Sequence, residues 1–467
     1  MLGIGVYGGI VMTHIAWCLA RPSVILSMIL LMFALDQWGF ALASGYLPTA
    51  AFTNYLVAAL TAFAIIVLYM FGKPHRFLGG PAFWLVVALY VYAFMSIAWV
   101  SVPGKAIDLW LSSVPYLLVF LCGAPLLVQA SDDIEEPMRA FLLLGLPLVF
   151  CMNFFLEWGY RGFVVDGKVT RLPLALAQFG GYLIIIGALF APSQSGGRNY
   201  WFLIRIAAVL LGALLIIRTG ARGQFISATL CAAVMFGLGR ANFSVVKLVL
   251  SGVIGSLLMA TAYMGAITYM KSEPSLQGTA ARWSIDRLFE DYGERSIRVL
   301  RIEAMLDAWS DNPGTMLIGL GNSASYDPHI TDCTSPIGCY PHNLPIEILT
   351  EEGLIGLLIF ASLLLYVFVA AIRVINDPAI DPDRKPALKV LLALVIFEAI
   401  LSLKQASLLG NWALCLFAIL LDRSIDLLRR PVILLDGEDK DNLLKSATKN
   451  WLARRHSNGG LGRRTAL

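Results

Sequence analysis

The chain has 467 residues, of which 58% are hydrophobic and 14% charged, with 35 Lys and Arg against 31 Asp and Glu for a formal net charge of +4. A water-soluble globule of this size has too little interior to hide so much apolar surface, and apolar runs that are continuous rather than alternating exclude a β-barrel. The composition specifies an all-α, polytopic transmembrane helical bundle whose runs of ~20 apolar residues each reach across ~30 Å of hydrocarbon.

In chain order, apolar runs fall near residues 2–20, 23–43, 51–72, 82–102, 106–129, 138–157, 172–192, 200–217, 223–239, 245–269, 353–373, 387–403 and 406–422. That predicts about 12–13 spans. The first run is expected to be retained, because no basic residue precedes Val6–His14 and Ala20 is followed by Arg-Pro rather than a cleavage pattern. The longest polar break, residues 271–343, reads as one long loop containing amphipathic helices, and a basic tail follows Asp422. Basic residues concentrate on the cytoplasmic side of a membrane protein. The tail, from Arg423 to Arg464, is therefore placed inside, and counting backwards puts Arg373, Arg384, Lys385, Arg240, Lys247, Arg198, Arg139, Lys73, Arg76 and Arg21 there too. The long loop, the Arg218–Arg222 turn and the Tyr160–Arg171 loop then face outward, on the opposite side of the membrane.

Those outward segments carry arginines on the side where the charge rule disfavours them. Long loops cross largely regardless of charge, which covers residues 271–343 but not the short "RTGARGQF". Arg218 and Arg222 stand four apart. In a helix they would share a face; in a turn that opens a helix, Gly220 and Gly223 would let backbone N–H groups approach an anion. Both arrangements suit a phosphate or diphosphate, while the simpler reading is snorkelling to lipid phosphates. In "SIRVLRIEAMLDAW", Val299, Ile302, Met305, Leu306 and Trp309 recur at helical spacing, which predicts an amphipathic helix able to lie on the bilayer with Arg298 and Arg301 toward its start. Arg282, Arg287 and Arg295 are read as solvent-facing.

"CYPHNLPIEILTEEGLIGLLIF" sets polar residues at the mouth of an apolar run. Asn343 before Leu344-Pro345 predicts a helix N-cap. His342 then stands just ahead of a helix N-terminus, where the dipole disfavours imidazolium, so a neutral imidazole is available as a general base. Glu347 lies one turn from Asn343, placed to orient the histidine or hold acceptor hydroxyls. Glu351 and Glu352 read as dipole-favoured acids of a helix start. Of the other histidines, His14 reads as a core hydrogen-bonding group, His329 shares the outward loop, and His75 and His456 fall on the inner side. Cys333 and Cys339 bracket "TSPIG" and could close a short loop in an oxidising compartment; the remaining five cysteines lie in apolar runs. Nucleotide, dinucleotide and zinc-protease fingerprints are missing, and so is an outward Asp-x-Asp pair. No cofactor, no metal and no nucleic-acid partner is expected, and a departing diphosphate would be met by arginine.

Three stretches, in order, give the chain a resemblance to the O-antigen ligase/polymerase superfamily of membrane glycosyltransferases. "RTGARGQF" resembles the family's Thr-Gly-Ser-Arg-Gly segment and aligns Arg222, with Ala221 in place of the serine. "RVLRIEAMLDAWSDNPGTMLIGLGN" resembles the family's arginine, helix, Asn-Pro and Gly-x-Gly pattern and aligns Arg298. "HNLPIEILTEEGLIGLLIF" resembles the His-Asn…Glu-x-Gly-Leu-x-Gly stretch and aligns His342, Asn343, Glu352 and Gly353. The resemblance implies a division into N-terminal spans (1–204), a ligase-related catalytic region (205–375), C-terminal spans (376–422) and a basic cytoplasmic tail (423–467). It also implies an inverting glycosyl transfer from a polyprenyl-diphosphate-linked glycan to a sugar hydroxyl on lipid A-core or on another lipid-linked glycan. His342 is the implied base, with Arg222 and Arg298 on the diphosphate. Arg218 joins them on geometry alone. A transporter or flippase of lipid-linked oligosaccharides is the alternative; it requires intramembrane charges along a path, for which Asp36, Glu398 and Lys404 are the candidates. A structural subunit of a polysaccharide export complex is a further alternative, for which no specific residue speaks.

Overall fold

A computed structural model describes residues 2–43, 52–71, 79–130, 132–159, 162–165, 168–169, 173–192, 198–237, 297–331, 340–405 and 407–429, with the single positions 265, 268 and 272. By internal contacts the chain divides into Met1–Leu427 and Leu428–Leu467, and of the second unit only residues 428 and 429 are described. Fourteen helices are named here: α1 (Leu2–Ala20), α2 (Ile25–Ala43), α3 (Phe52–Phe71), α4 (Pro81–Met95), α5 (Pro103–Leu117), α6 (Asp132–Phe154), α7 (Pro173–Leu189), α8 (Arg198–Thr219), α9 (Arg222–Gly237), α10 (Ile297–Ser310), α11 (Pro313–Ile318), α12 (Leu344–Asn376), α13 (Lys385–Gln405) and α14 (Trp412–Arg429). In hydrocarbon a helix is the open-ended structure that satisfies its own backbone groups, so the apolar runs become helices. Proline at the first turn marks several starts, at Pro81, Pro103, Pro313 and Pro345.

The chain is a multi-pass membrane protein with an all-α bundle. Among the described residues eight helices are long and apolar enough to cross a membrane, and two shorter apolar helices, Gly5–Ala20 and Leu174–Leu189, join them. The expected 12–13 spans exceed that number for three reasons. α9 has only 16 residues, α14 carries Asp422, Arg423, Asp426 and Arg429, and the run 245–269 lies outside the described residues apart from positions 265 and 268. The Tyr160–Arg171 segment, read as a loop, belongs to a small antiparallel ribbon of β1 (Glu157–Gly159), β2 (Gly162–Val165) and β3 (Lys168–Val169). In the backbone register Trp158 stands opposite Phe163 and Val164 opposite Val169.

Small residues allow close packing without a hydrophobic driving force. A Cβ on Gly180 of α7 would lie 2.8 Å from the Gly212 carbonyl of α8. Buried polar groups inside the bundle are paired. His14 bonds the Ile10 carbonyl (2.9 Å) and Ser27 Oγ (2.7 Å), the core role expected of it. Glu398 accepts from Tyr182 Oη (2.6 Å) and Gln178 Nε2 (2.7 Å), which ties α13 to α7. One end of the bundle gathers ion pairs of Arg21 and Arg139 with Glu136, the Arg423 bond to the Val128 carbonyl, and Asp422, which accepts from the Ala82 amide at 3.1 Å.

At the opposite end α10 and α11 meet the start of α12. Met305 of α10 is fully buried with Val100, Ala106 and Ala324, so the apolar face of this helix packs on the α4–α5 corner, while Val299 and Leu300 stay exposed. Asn312 caps α11, accepting from the Thr315 amide at 2.9 Å. The chain after α11 then lies along the first turns of α12: the Leu320 amide bonds the Thr350 carbonyl (2.9 Å) and the Gly321 amide bonds the Glu351 carbonyl (2.8 Å). α12 is kinked where they meet, with Gly353 at φ 68, ψ −169, and Gly319 and Gly321 have φ of 85 and 95. A Cβ on Gly353 would overlap the Leu317 carbonyl, and one on Gly319 the Glu351 carbonyl. Gly353→Ala is expected to lower the thermal midpoint of the purified chain markedly, since the backbone conformation alone costs about 1–3 kcal/mol for a side-chain-bearing residue. Gly104→Ala, at a glycine with open space around it, should leave that midpoint unchanged.

Candidate functional site

The start of α12 is fixed from both sides. Asn343 Oδ1 accepts from the Ile346 amide (3.2 Å) as the N-cap, and its Nδ2 donates to the Leu403 carbonyl at the end of α13 (3.0 Å). His342 precedes it at φ 58. Among the described residues, it and Ser323 are the only non-glycine residues with positive φ, a strain that folded proteins tolerate chiefly at working sites. The half-buried imidazole rests on Tyr340, with ring centroids 4.2 Å apart. Burial, then the charges of Arg298 and Arg301, push its pKa down to about 4. The ring is therefore neutral at physiological pH and able to accept a proton.

Cations converge beside it from three helices. Arg222 opens α9, Arg298 lies in the first turn of α10, and Lys404, near the end of α13, feels the charges of both. The Lys404 ammonium lies against Gly223 so closely that a Cβ there would overlap it, so this glycine is a matter of space. Arg218 is placed differently. Gly220, at φ 72, ends α8, and α9 begins two residues later, so the same-face arrangement of a continuous helix does not arise. Arg218 donates to the Asn153 carbonyl and stands 6.0 Å from the Phe154 ring, against the end of α6.

Three buried carboxyls follow on the first turns of α12. Glu351 and Glu352, read from sequence as acids of an open helix start, are 2% and 0% exposed. The correction follows from the loop of residues 319–325, which closes over them. Glu351 accepts from the amides of Ser323 (2.7 Å) and Ser325 (3.1 Å). Glu352 accepts from Asn322 Nδ2 (3.1 Å), and Asn322 Oδ1 accepts from Trp110 Nε1 (3.1 Å). Glu347 accepts from the Leu408 amide (2.8 Å) in the α13–α14 turn. Burial, and then Glu351, hold the Glu347 carboxyl well above the usual range. Burial also raises Glu351, and burial with Glu351 pushes Glu352 up to about 8.

Of the residues named from sequence, the structure therefore brings His342, Asn343, Glu347, Arg222 and Arg298 to one end of the bundle and seats Arg218 on α6. His329 is exposed on the same loop, and Cys333 and Cys339 lie outside the described residues. Lys404, Tyr340, Asn322 and Trp110 were missed as site residues; only Asn322, next to the Gly-x-Gly pair, carried a sequence signal. Among the described residues no group of three or more His, Cys, Asp or Glu side chains is arranged to hold a metal ion.

Residues 207–361 match the O-antigen ligase family. Over this segment the chain belongs to that family. The O-antigen ligase segment holds the α8–α9 turn, Arg298, the glycine loop, His342 and the three carboxyls, whereas Trp110 and Lys404 come from helices outside it. No curated protein matches the chain significantly.

A carboxyl protonated in the fold stabilises it below its unfolded pKa, and that stability is lost as pH rises through the folded pKa. For Glu352 the window runs from about 4.5 to about 8. The thermal midpoint should fall across it, and Glu352→Gln, which keeps an acceptor for Asn322, should fall less steeply in a pH series of melting curves.

Proposed function

We propose that this protein is a membrane glycosyltransferase that polymerises or ligates a polyprenyl-diphosphate-linked glycan at the periplasmic face of a bacterial inner membrane. The observation that carries this reading is a neutral, backbone-strained imidazole at a helix N-terminus beside cations from three helices, within a segment of the O-antigen ligase family.

In this mechanism an acceptor sugar hydroxyl attacks the anomeric carbon of the donor. The new C–O bond forms as the anomeric bond to the diphosphate breaks, with inversion, and His342 takes the hydroxyl proton. Such a base contributes ~10²–10⁴-fold. The leaving polyprenyl diphosphate carries the bonding electron pair, and its charge is met by Arg222 and Arg298, whose planar forks suit phosphate oxygens. Lys404 adds charge between them. Arg218, through the Asn153 carbonyl, serves as a positioning residue for the turn that presents Arg222.

A base held near 4 is weak, and its two largest causes differ in kind. Burial is fixed, but the arginine charges are offset once a diphosphate binds. Donor binding thereby raises the basicity of His342 when a hydroxyl is to be activated.

In a host lacking the gene, His342→Ala at matched membrane levels is expected to abolish long-chain or core-linked glycan and to accumulate lipid-linked precursor. Normal glycan from that variant would overturn the reading. Arg298→Gln is expected to lower kcat/KM on the order of 10²–10³-fold. It should also shift the acid limb of its pH profile upward from about 4 toward the ordinary histidine value, because a cation that disfavours imidazolium is gone.

A further inference from the structure

A cavity of about 220 Å³, far more than the ~10–15 Å³ that one water requires, is lined in part by Tyr340, the neighbour of His342. Its walls include Ser113 of α5, Ser323 and Tyr326 of the loop, Tyr340, and Glu347 and Glu351 of α12. Tyr340 is the ring on which His342 rests, so the imidazole and the cavity share a wall. Glu347 is 4% exposed, and its Oε1 is engaged by the Leu408 amide, yet its buried Oε2 has no hydrogen-bond partner among the described residues. A buried polar atom left so costs free energy and calls for an explanation. Since Oε1 accepts from an amide and burial favours the protonated acid, Oε2 is the oxygen available to donate. Two phenols, two serine hydroxyls and two carboxyls among the walls of a small cavity offer apolar ring faces together with donors and acceptors, the lining that a polyhydroxylated ring requires.

Resting on the glycosyl-transfer reading, we propose that this cavity is the subsite for the terminal sugar of the acceptor glycan, with Glu347 Oε2 bonded to one of its hydroxyls. The diphosphate then lies on the Arg222–Arg298–Lys404 side of His342 and the acceptor on the carboxyl side. The base stands between the hydroxyl it activates and the group that leaves.

The test uses the purified full chain and, as probe, the free oligosaccharide released by mild acid from the host's lipid-linked pool, which carries no diphosphate. Binding is followed by saturation-transfer NMR. Ser113→Phe fills the cavity from α5, where the serine hydroxyl bonds only the Leu109 carbonyl of its own helix. Binding is expected in the wild type and in His342→Ala, and should weaken by about tenfold or more in Ser113→Phe with an unchanged thermal midpoint. Tyr326→Phe removes one hydroxyl and no packing, and should weaken binding several-fold even if Ser113→Phe folds poorly. Equal binding by wild type and both cavity variants overturns the proposal, as does absence of binding by the wild type. Loss on Arg222→Gln with Ser113→Phe unaffected also overturns it, because the probe then sits on the donor side. Transfer by His342→Ala tests the preceding reading separately, since that variant keeps the cavity.

Discussion

Two backbone hydrogen bonds, from the Leu320 and Gly321 amides to the carbonyls of Thr350 and Glu351, hold together the end of the bundle that carries His342. They form because α12 is bent at Gly353 and because Gly319 and Gly321 adopt left-handed backbone that places the loop in direct contact with the helix. A side chain on Gly319 or Gly353 would force the loop and helix backbones apart, and one on Gly321 would run into Ser96 and Val100. Asn322 and Ser323 are delivered to Glu352 and Glu351 by this docking. The same docking carries Met305 of α10 to the α4–α5 corner and so sets α10, with Arg298 and Arg301, against His342. The Gly-x-Gly and Glu-x-Gly elements are thus two halves of one joint, with a structural rather than a chemical duty.

Around that joint stand groups of both signs. Lys404 feels the charges of Arg222 and Arg298, and His342 those of Arg298 and Arg301, so the cations are crowded, and their mutual repulsion in a partly desolvated setting makes an anion a favoured occupant. The carboxyls of α12 are buried, which keeps them from ionising in the ordinary range. The carboxyls are engaged by the amides of Ser323, Ser325 and Leu408 and by the Asn322 side chain. A half-buried imidazole near cations is disfavoured as imidazolium until those cations are offset. On the proposed reading, substrate charge and base strength are thereby linked without any moving part.

The other end of the bundle is built on the opposite principle. There Arg21, Arg139 and Glu136 pair directly, and Asp422 caps the first turn of α4. Glu398, a candidate for a transport path, is held by Tyr182 and Gln178 between α13 and α7. It serves as a fixed tie between two helices.

From sequence alone came the membrane, the helices and much of the site. Apolar runs of bilayer length leave the backbone no alternative to helix, and Asn343 ahead of Leu344-Pro345 marks a helix start whatever surrounds it. His342, Arg222 and Arg298 were legible because each sits in a short pattern read along the chain. Contacts between distant segments were not. Whether "RTGARG" was one helix or a break was settled by Gly220 and by the Asn153 carbonyl that receives Arg218. Glu351 and Glu352 look like solvated acids until the loop some thirty residues earlier is folded over them, for burial is a property of neighbours in space and sequence spacing does not encode it. Lys404 reads as the end of an apolar run, and only the packing of α13 beside α9 turns it into a member of the cationic group. Composition and local pattern determined what each segment would become; the tertiary fold decided which segments met, and with that which charges were paired, buried or left facing the site.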